Sequence, residues 1–160
     1  MKRITNSPKR IVLVHPRGSN WFPGKRDITD IANRMVPQGL LSIAAYLMRE
    51  GHEILVYDCL GPGAPLGLQK QARVILDYRP DMIGFSATTS SFPDAADLAQ
   101  IIKNADPGIV TVCGGVHVSA LEGTLLRDHP AFDYLIAGEG EITMAELAAG
   151  ISPPDILGLI

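Results

Sequence analysis

The residue types able to do chemistry in this chain are glycines, hydroxyls and a few histidines, not paired carboxylates or metal-ligand clusters. The clearest stretch is 109–117, which reads Ile-Val-Thr-Val-Cys-Gly-Gly-Val-His. It begins as a buried strand and breaks into Gly114-Gly115. A strand interior has no use for such a pair, because each glycine forfeits side-chain packing and adds entropy to the unfolded chain. At the carboxyl end of a strand the pair either lets a ligand approach the backbone where a Cβ would block it, or makes a tight strand-to-helix turn with nothing bound. A second cluster, Ser86-Ala87-Thr88-Thr89-Ser90-Ser91, ends another apolar run. Ser86, Thr88 and Thr89 donate hydrogen bonds without bringing charge, although turns and helix caps use hydroxyls too.

These residues need elements to position them, and the chain supplies a regular alternation. Residues 1–9 read as a loose arm. Ile11-Val12-Leu13-Val14 is a continuous apolar run suited to a strand buried on both faces, ending at His15-Pro16. Residues 16–36 show no clear period and hold Trp21 and Phe22, so they read as a long loop, either a lid or contact surface or a solvated insertion. Pro37 opens a helix with Leu40, Ala44, Leu47 and Met48 on one stripe, closed by Gly51. Ile54–Tyr57, Met82–Phe85, Ile109–Cys113 and Tyr134–Ala137 are four further strands. The helices between them carry Leu68, Ala72 and Ile75, then Ala95, Leu98, Ala99 and Ile102, then Leu121, Leu125 and Leu126. Ser91 with Asp94, and Ser119 with Glu122, fit capping boxes. A last helix holds Ile142, Ala145 and Ala149, and residues 156–160 look like the start of a sixth strand. Alternating strands and helices predict an α/β, Rossmann-like (flavodoxin-like) doubly wound parallel sheet of five strands in the order 2-1-3-4-5, in one domain over residues 10–160. Its carboxyl edge collects loops 15–36, 58–66, 86–92, 113–119 and 137–141, and ligands of open α/β sheets bind along that edge.

Composition narrows the ligand. The 160 residues are 46% hydrophobic and 19% charged with a net charge of -3, and no long basic run offers a patch for nucleic acid. No apolar stretch is long enough to span a bilayer, and the expected compartment is the cytoplasm. Two cysteines are too few for a disulfide scaffold or a structural zinc site. In the predicted strand order Cys59 and Cys113 lie three strand spacings apart, on the order of 14 Å. A disulfide needs Cα atoms within about 7 Å, so both are expected to be free thiols at the ligand edge. His15-Pro16-Arg17-Gly18 is not a G-x-G-x-x-G dinucleotide turn, no P-loop is present, and Ser86 stands where a phosphoacceptor would want a carboxylate. A site of hydroxyls, glycines and backbone amides suits a large, flat, mostly neutral ligand with an amide-rich rim and a long tail.

An ordered set of short motifs then becomes specific. Pro37-Gln38-Gly39-Leu40, Tyr57-Asp58, Pro80-Asp81-Met82-Ile83-Gly84-Phe85-Ser86 with Thr88, Gly114-Gly115-Val116-His117 and Gly138-Glu139-Gly140-Glu141 occur in that order. The set resembles the N-terminal cobalamin-binding domain of cobalamin-dependent radical S-adenosylmethionine enzymes, over nearly the whole chain from Arg10. The resemblance implies that the nucleotide tail of cobalamin slots between the third and fourth strands, lined by Ser86, Thr88, Gly114 and Gly115, with Thr89 beside them. It places Pro37, Gln38, Gly39, His117 and the Gly138, Glu139, Gly140 turn near the corrin ring. Cobalamin domains with a histidine ligand to cobalt carry D-x-H-x-x-G after the first strand. Here Leu13 stands in the place of the aspartate that would orient His15. The radical enzymes mostly lack that histidine, and no metal ligand is assigned. His15 as a cobalt ligand and His15 as a packing or loop residue both stay open.

The radical enzymes also hold an iron–sulfur cluster (4Fe–4S) on a C-x-x-x-C-x-x-C loop. Two isolated cysteines cannot do that, so S-adenosylmethionine and the cluster are expected in a partner domain, in cis or in trans, of a methyltransferase or cyclase-type enzyme. Cofactor chemistry then needs that partner, and this chain alone is expected not to be catalytic. Two other readings stay open. One is a stand-alone corrinoid carrier or sensor. The other is a flavodoxin-like enzyme for a small metabolite, with His117 and Glu139 as an acid–base pair. Neither nucleic acid nor membrane is an expected partner.

Overall fold

Short runs of Ile, Val, Leu and Met alternate with segments of helical period, and the chain folds accordingly. The structure, a computed structural model, describes residues 7–18, 36–121 and 124–160. Strands β1 (Arg10–His15), β2 (Glu53–Asp58), β3 (Met82–Ser86), β4 (Val110–Gly114) and β5 (Tyr134–Leu135) form one parallel sheet in the order β2-β1-β3-β4-β5. That is the order expected. The helices are α1 (Gln38–Arg49), α2 (Leu68–Asp77), α3 (Phe92–Ala105), α4 (Val116–Leu121), α5 (Leu125–Asp128) and α6 (Glu141–Ala148), followed by a 3-10 turn at Pro153–Asp155.

Side chains alternate across each strand, so the sheet builds two cores. On one face Ile11, Leu13, Met82 and Val112 pack against Leu40, Ala44 and Leu47 of α1 and Met144, Leu147 and Ala148 of α6. On the other, Val12, Val14, Ile83, Phe85 and Cys113 pack against Ala72 and Ile75 of α2 and Leu98, Ala99 and Ile102 of α3. Full burial of one such Leu or Ile is worth roughly 1.5–3 kcal/mol. Both faces of β1 are therefore covered, as its unbroken apolar run requires. From β1 the chain steps outward to β2, then returns to β3 on the opposite side. That reversal leaves a crevice outside the carboxyl ends of β1 and β3.

Several local expectations are corrected. Pro37 is the N-cap of α1 and not its first helical residue. Ser91 does precede α3, but its hydroxyl makes no capping bond to the helix. Instead Ser91 Oγ accepts from the Thr88 N–H at 2.9 Å. Ser119 lies inside α4, because the helix starts at Val116, immediately after Gly115. Residues 156–160 do not add a parallel strand. They return antiparallel beside β5, with one bridge at Ile136–Leu159 and reciprocal Leu135–Ile160 backbone bonds of 2.9 Å. Within the predicted arm, Lys9 O accepts from the Glu53 N–H, which ties it to β2. Residues 1–6, loop residues 19–35 with Trp21 and Phe22, and Glu122 lie outside the described residues.

Candidate functional site

Strand register brings the two sequence clusters together. β3 and β4 are neighbours, and Ser86 is paired directly with Gly114. Two residues back on the same face stand Gly84 and Val112, also paired. The place of the missing Gly84 side chain is taken by Leu13 Cδ2 and Met144 Cε, which an added Cβ would meet at 3.0 and 3.3 Å. Glycine at 114 and a serine at 86, by contrast, leave the carboxyl end of the sheet surface low beside α1 and α6. The result is a cavity of about 430 Å³, within the range of about 300–1,000 Å³ usual for small-molecule sites. Its inner wall is Leu13, Gly84, Val112, Ile136 and Met144, with Leu40 and Ile43 from α1. Its mouth is Ser86, Gly114, Gly115, Ser119 and the 138–141 turn.

Each glycine here has its own reason. A Cβ on Gly114 would meet Ile136 only at 3.4–3.6 Å, ordinary contact, so backbone sterics do not demand glycine and the missing side chain leaves open space. A Cβ on Gly39 would meet nothing within 4 Å. Gly115 differs: its φ is +101°, and a Cβ would stand 2.7 Å from Ala87 O and 2.9 Å from Ala87 N. It is fixed by the close approach of the β4 turn to the end of β3. Gly138 has φ +82° and open space around it, and its N–H donates to Ser119 Oγ at 3.2 Å. Ser42 Oγ donates to Glu141 Oε1 at 2.6 Å, joining α1 to the start of α6 beside the mouth.

A second cavity of about 210 Å³ adjoins the first at Gly39, Leu40 and Ser86. His15, Pro37, Thr88 and Ser91 also line it. His15 does have a carboxylate partner after all. Its Nδ1 lies 3.1 Å from Asp58 Oδ1, because the two residues face each other across β1 and β2. The partner comes from the neighbouring strand and not from position 13, so no motif on β1 could reveal it. Asp58 Oδ1 is held in turn by the Leu60 N–H at 3.0 Å. Among the described residues His15 Nε2 has no hydrogen-bond partner.

The hydroxyl cluster divides. Thr88 Oγ1 is committed to the hydroxyls of Ser90 and Ser91, each at 3.1 Å. Thr89 Oγ1 lies 3.3 Å from His117 Nδ1. Ser86 alone of the three predicted donors has no hydroxyl partner among the described residues, and it lines both cavities. His117 lines neither. Its ring stacks on Phe92 with centroids 4.4 Å apart, on the far side of the β4 turn, and burial followed by the nearby His129 lowers its pKa. It makes no hydrogen bond to Glu139, so the two are not assembled as an acid–base pair. Gln38 and Thr89 line neither cavity, whereas Gly39, Gly138, Glu139 and Gly140 line the larger one. Sequence reasoning missed Ser119 and the apolar wall. The available signal was Gly84, a glycine within a buried strand, two residues from Ser86 and thus on its face.

Both cysteines are free, as expected, but neither faces the cavity. They sit in the opposite core, and burial pushes both thiols from 9.0 up to about 12, with Asp58 adding to the effect at Cys59. A thiol-specific chromogenic reagent at pH 8 is expected to label neither in the native chain and both in denaturant. A folded thiol harder to ionise than an unfolded one stabilises the fold fully below about pH 9. That contribution is lost as pH rises toward 12, so urea midpoints are expected to fall across this interval. Among the described residues, no helix is long and apolar enough to cross a membrane, and no group of three His, Cys, Asp or Glu is placed to hold a metal ion.

Comparison with known proteins agrees with this geometry. An uncharacterised methyltransferase of Pyrococcus horikoshii is 35% identical over 143 residues, covering 89% of this chain and 29% of the relative. The anaerobic magnesium-protoporphyrin IX monomethyl ester cyclase of Rubrivivax gelatinosus is 29% identical over 143 residues, covering 89% of this chain and 24% of the relative. The chain thus spans less than a third of the length of these curated relatives. The solved structure of apo OxsB, a cobalamin-dependent S-adenosylmethionine radical enzyme, superimposes with a TM-score of 0.70 at 17% identity, over 95% of this chain and 20% of that one, which shows a shared fold. The B12 binding domain family matches residues 24–148, most of the sequence and all of the elements from α1 to α6. By its sequence, its strand order and the cavity its small residues leave at the carboxyl edge, the chain belongs to the B12-binding domain family.

Proposed function

We propose that this chain holds cobalamin for a cobalamin-dependent radical S-adenosylmethionine enzyme of the methyltransferase or cyclase kind. The nucleotide tail enters the larger cavity between β3, β4 and the α1–α6 pair, and the corrin ring lies over the carboxyl edge. The observation that carries the reading is the Ser86–Gly114 pair: a hydroxyl with no partner among the described residues, opposite a position without a side chain at the cavity. Ser86 and Ser119 offer hydroxyls to the tail, Gly39 and the 138–140 turn give the ring's amide rim close access to backbone, and His15, which lines the second cavity and is held by Asp58, faces the ring on this reading. Bound methylcobalamin supplies a transferable methyl group. The chain's own task is to orient that group and shield it from water.

S-adenosylmethionine and the iron–sulfur cluster belong, on this reading, to a separate domain in cis or in trans. The sequence holds two cysteines, both buried, and a cluster loop needs three thiolates. The test is direct. After incubation with hydroxocobalamin and desalting, the protein is expected to stay coloured at about one equivalent per chain, and a colourless protein would refute the proposal. Ser86→Ala removes one hydrogen bond of modest net value and is expected to weaken retention two- to tenfold, roughly 0.5–1.5 kcal/mol, as read by equilibrium dialysis.

A further inference from the structure

The larger cavity carries its charge in one place. No lysine, arginine or histidine is among its described lining residues, and its two charged side chains, Glu139 and Glu141, both stand at the mouth. They are not alike. Glu141 Oε1 accepts from Ser42 Oγ at 2.6 Å and is held against α1. Glu139 is exposed and has no hydrogen-bond or ion-pair partner among the described residues. Its backbone is fixed all the same. The Gly138 N–H donates to Ser119 Oγ of α4, and Gly140 packs so closely on α1 that a Cβ there would stand 2.9 Å from Ile43 Cδ1. The turn thus presents one uncommitted carboxylate, a group that only accepts, at a set edge of the cavity.

The rim of a corrin ring carries short side chains that end in primary amides. Such an amide offers N–H donors, and a carboxylate accepts them in charge-assisted hydrogen bonds, stronger than neutral ones. Hydrolysis of one amide to an acid keeps the shape of that side chain. It removes the donors and adds a negative charge that Glu139 repels, with no cation among the cavity's described lining residues to offset it. We infer that Glu139 makes this chain selective for fully amidated corrinoids over those that carry a free carboxylate on the rim. This rests on the ring lying over the carboxyl edge as proposed above.

The probes are cobalamin and the separated cobalamin monoacids, each with a single rim propionamide hydrolysed to propionate. Affinities are measured by equilibrium dialysis with absorbance detection on the whole chain. Cobalamin is expected to bind at least about tenfold more tightly than one or more of the monoacids, equivalent to about 1.4 kcal/mol. Glu139→Gln keeps an acceptor and removes the charge, and is expected to shrink that gap to about threefold or less. Acid and amide have the same shape, so the gap reads charge and hydrogen bonding, not fit. Equal affinities for cobalamin and every monoacid, or a gap that Glu139→Gln fails to close, overturn selection by Glu139 and leave the ring in its place. Failure of the parent chain to bind cobalamin itself overturns both.

Discussion

Gly114→Leu is expected to weaken cobalamin binding at least about a hundredfold, close to 3 kcal/mol, while leaving the chain folded. The backbone of β4 accepts a side chain at this position: Gly114 is not in the left-handed region, and its Cβ would touch Ile136 at no less than 3.4 Å. The remainder of a leucine has one place to go, the mouth of the cavity beside Ser86. Gly114→Ala fills less of it and is expected to cost only a few-fold. Equilibrium dialysis reads the affinities, and thermal melts within a few degrees of the parent establish that the fold survives. A leucine variant that retained cobalamin like the parent would remove the tail from this cavity.

Gly115→Ala is expected to act on the fold instead. Its Cβ would overlap both the carbonyl oxygen and the nitrogen of Ala87, and backbone cannot swing aside as a side-chain end can. Those two atoms already bond to the His117 N–H and the Gly114 carbonyl. Adding the cost of a non-glycine residue at φ +101°, about 1–2 kcal/mol, to that overlap gives a loss of roughly 3 kcal/mol. For a chain of this size that lowers the melting temperature by roughly 6–12 °C. Gly138→Ala is the control: its φ is +82° but nothing lies within 4 Å, so only the conformational cost of about 1–2 kcal/mol applies. Equal melts for the two variants would mean that the contact with Ala87 carries no weight.

The strands and their order were legible because buried parallel strands write themselves as apolar runs, and the alternation with helices leaves few ways to connect them. The Ser86–Gly114 pair was legible for the same reason, since both end adjacent strands. What lay beyond reach was direction. Gly115 turns the chain so sharply that α4 begins at once, which carries His117 to Phe92 and away from the cavity, and no periodicity signals that turn. The apolar wall was hidden differently: Leu13, Val112 and Met144 have the composition and burial of ordinary core, and Gly84 between them serves their close packing, since an added Cβ would stand 3.0 Å from Leu13 Cδ2. The His15–Asp58 contact needed the β1–β2 register, which joins residues 43 positions apart.

The antiparallel return of residues 156–160 beside β5 has a further effect. β5 is the outermost strand, and its exposed side would otherwise present unsatisfied amides and carbonyls, a ready template for another chain's strand. Leu135 has both occupied by Ile160, and the Ala137 N–H donates to Gly158 O. This short return thus discourages edge-to-edge self-association, and at that border the sheet is closed to aggregation by its own polypeptide.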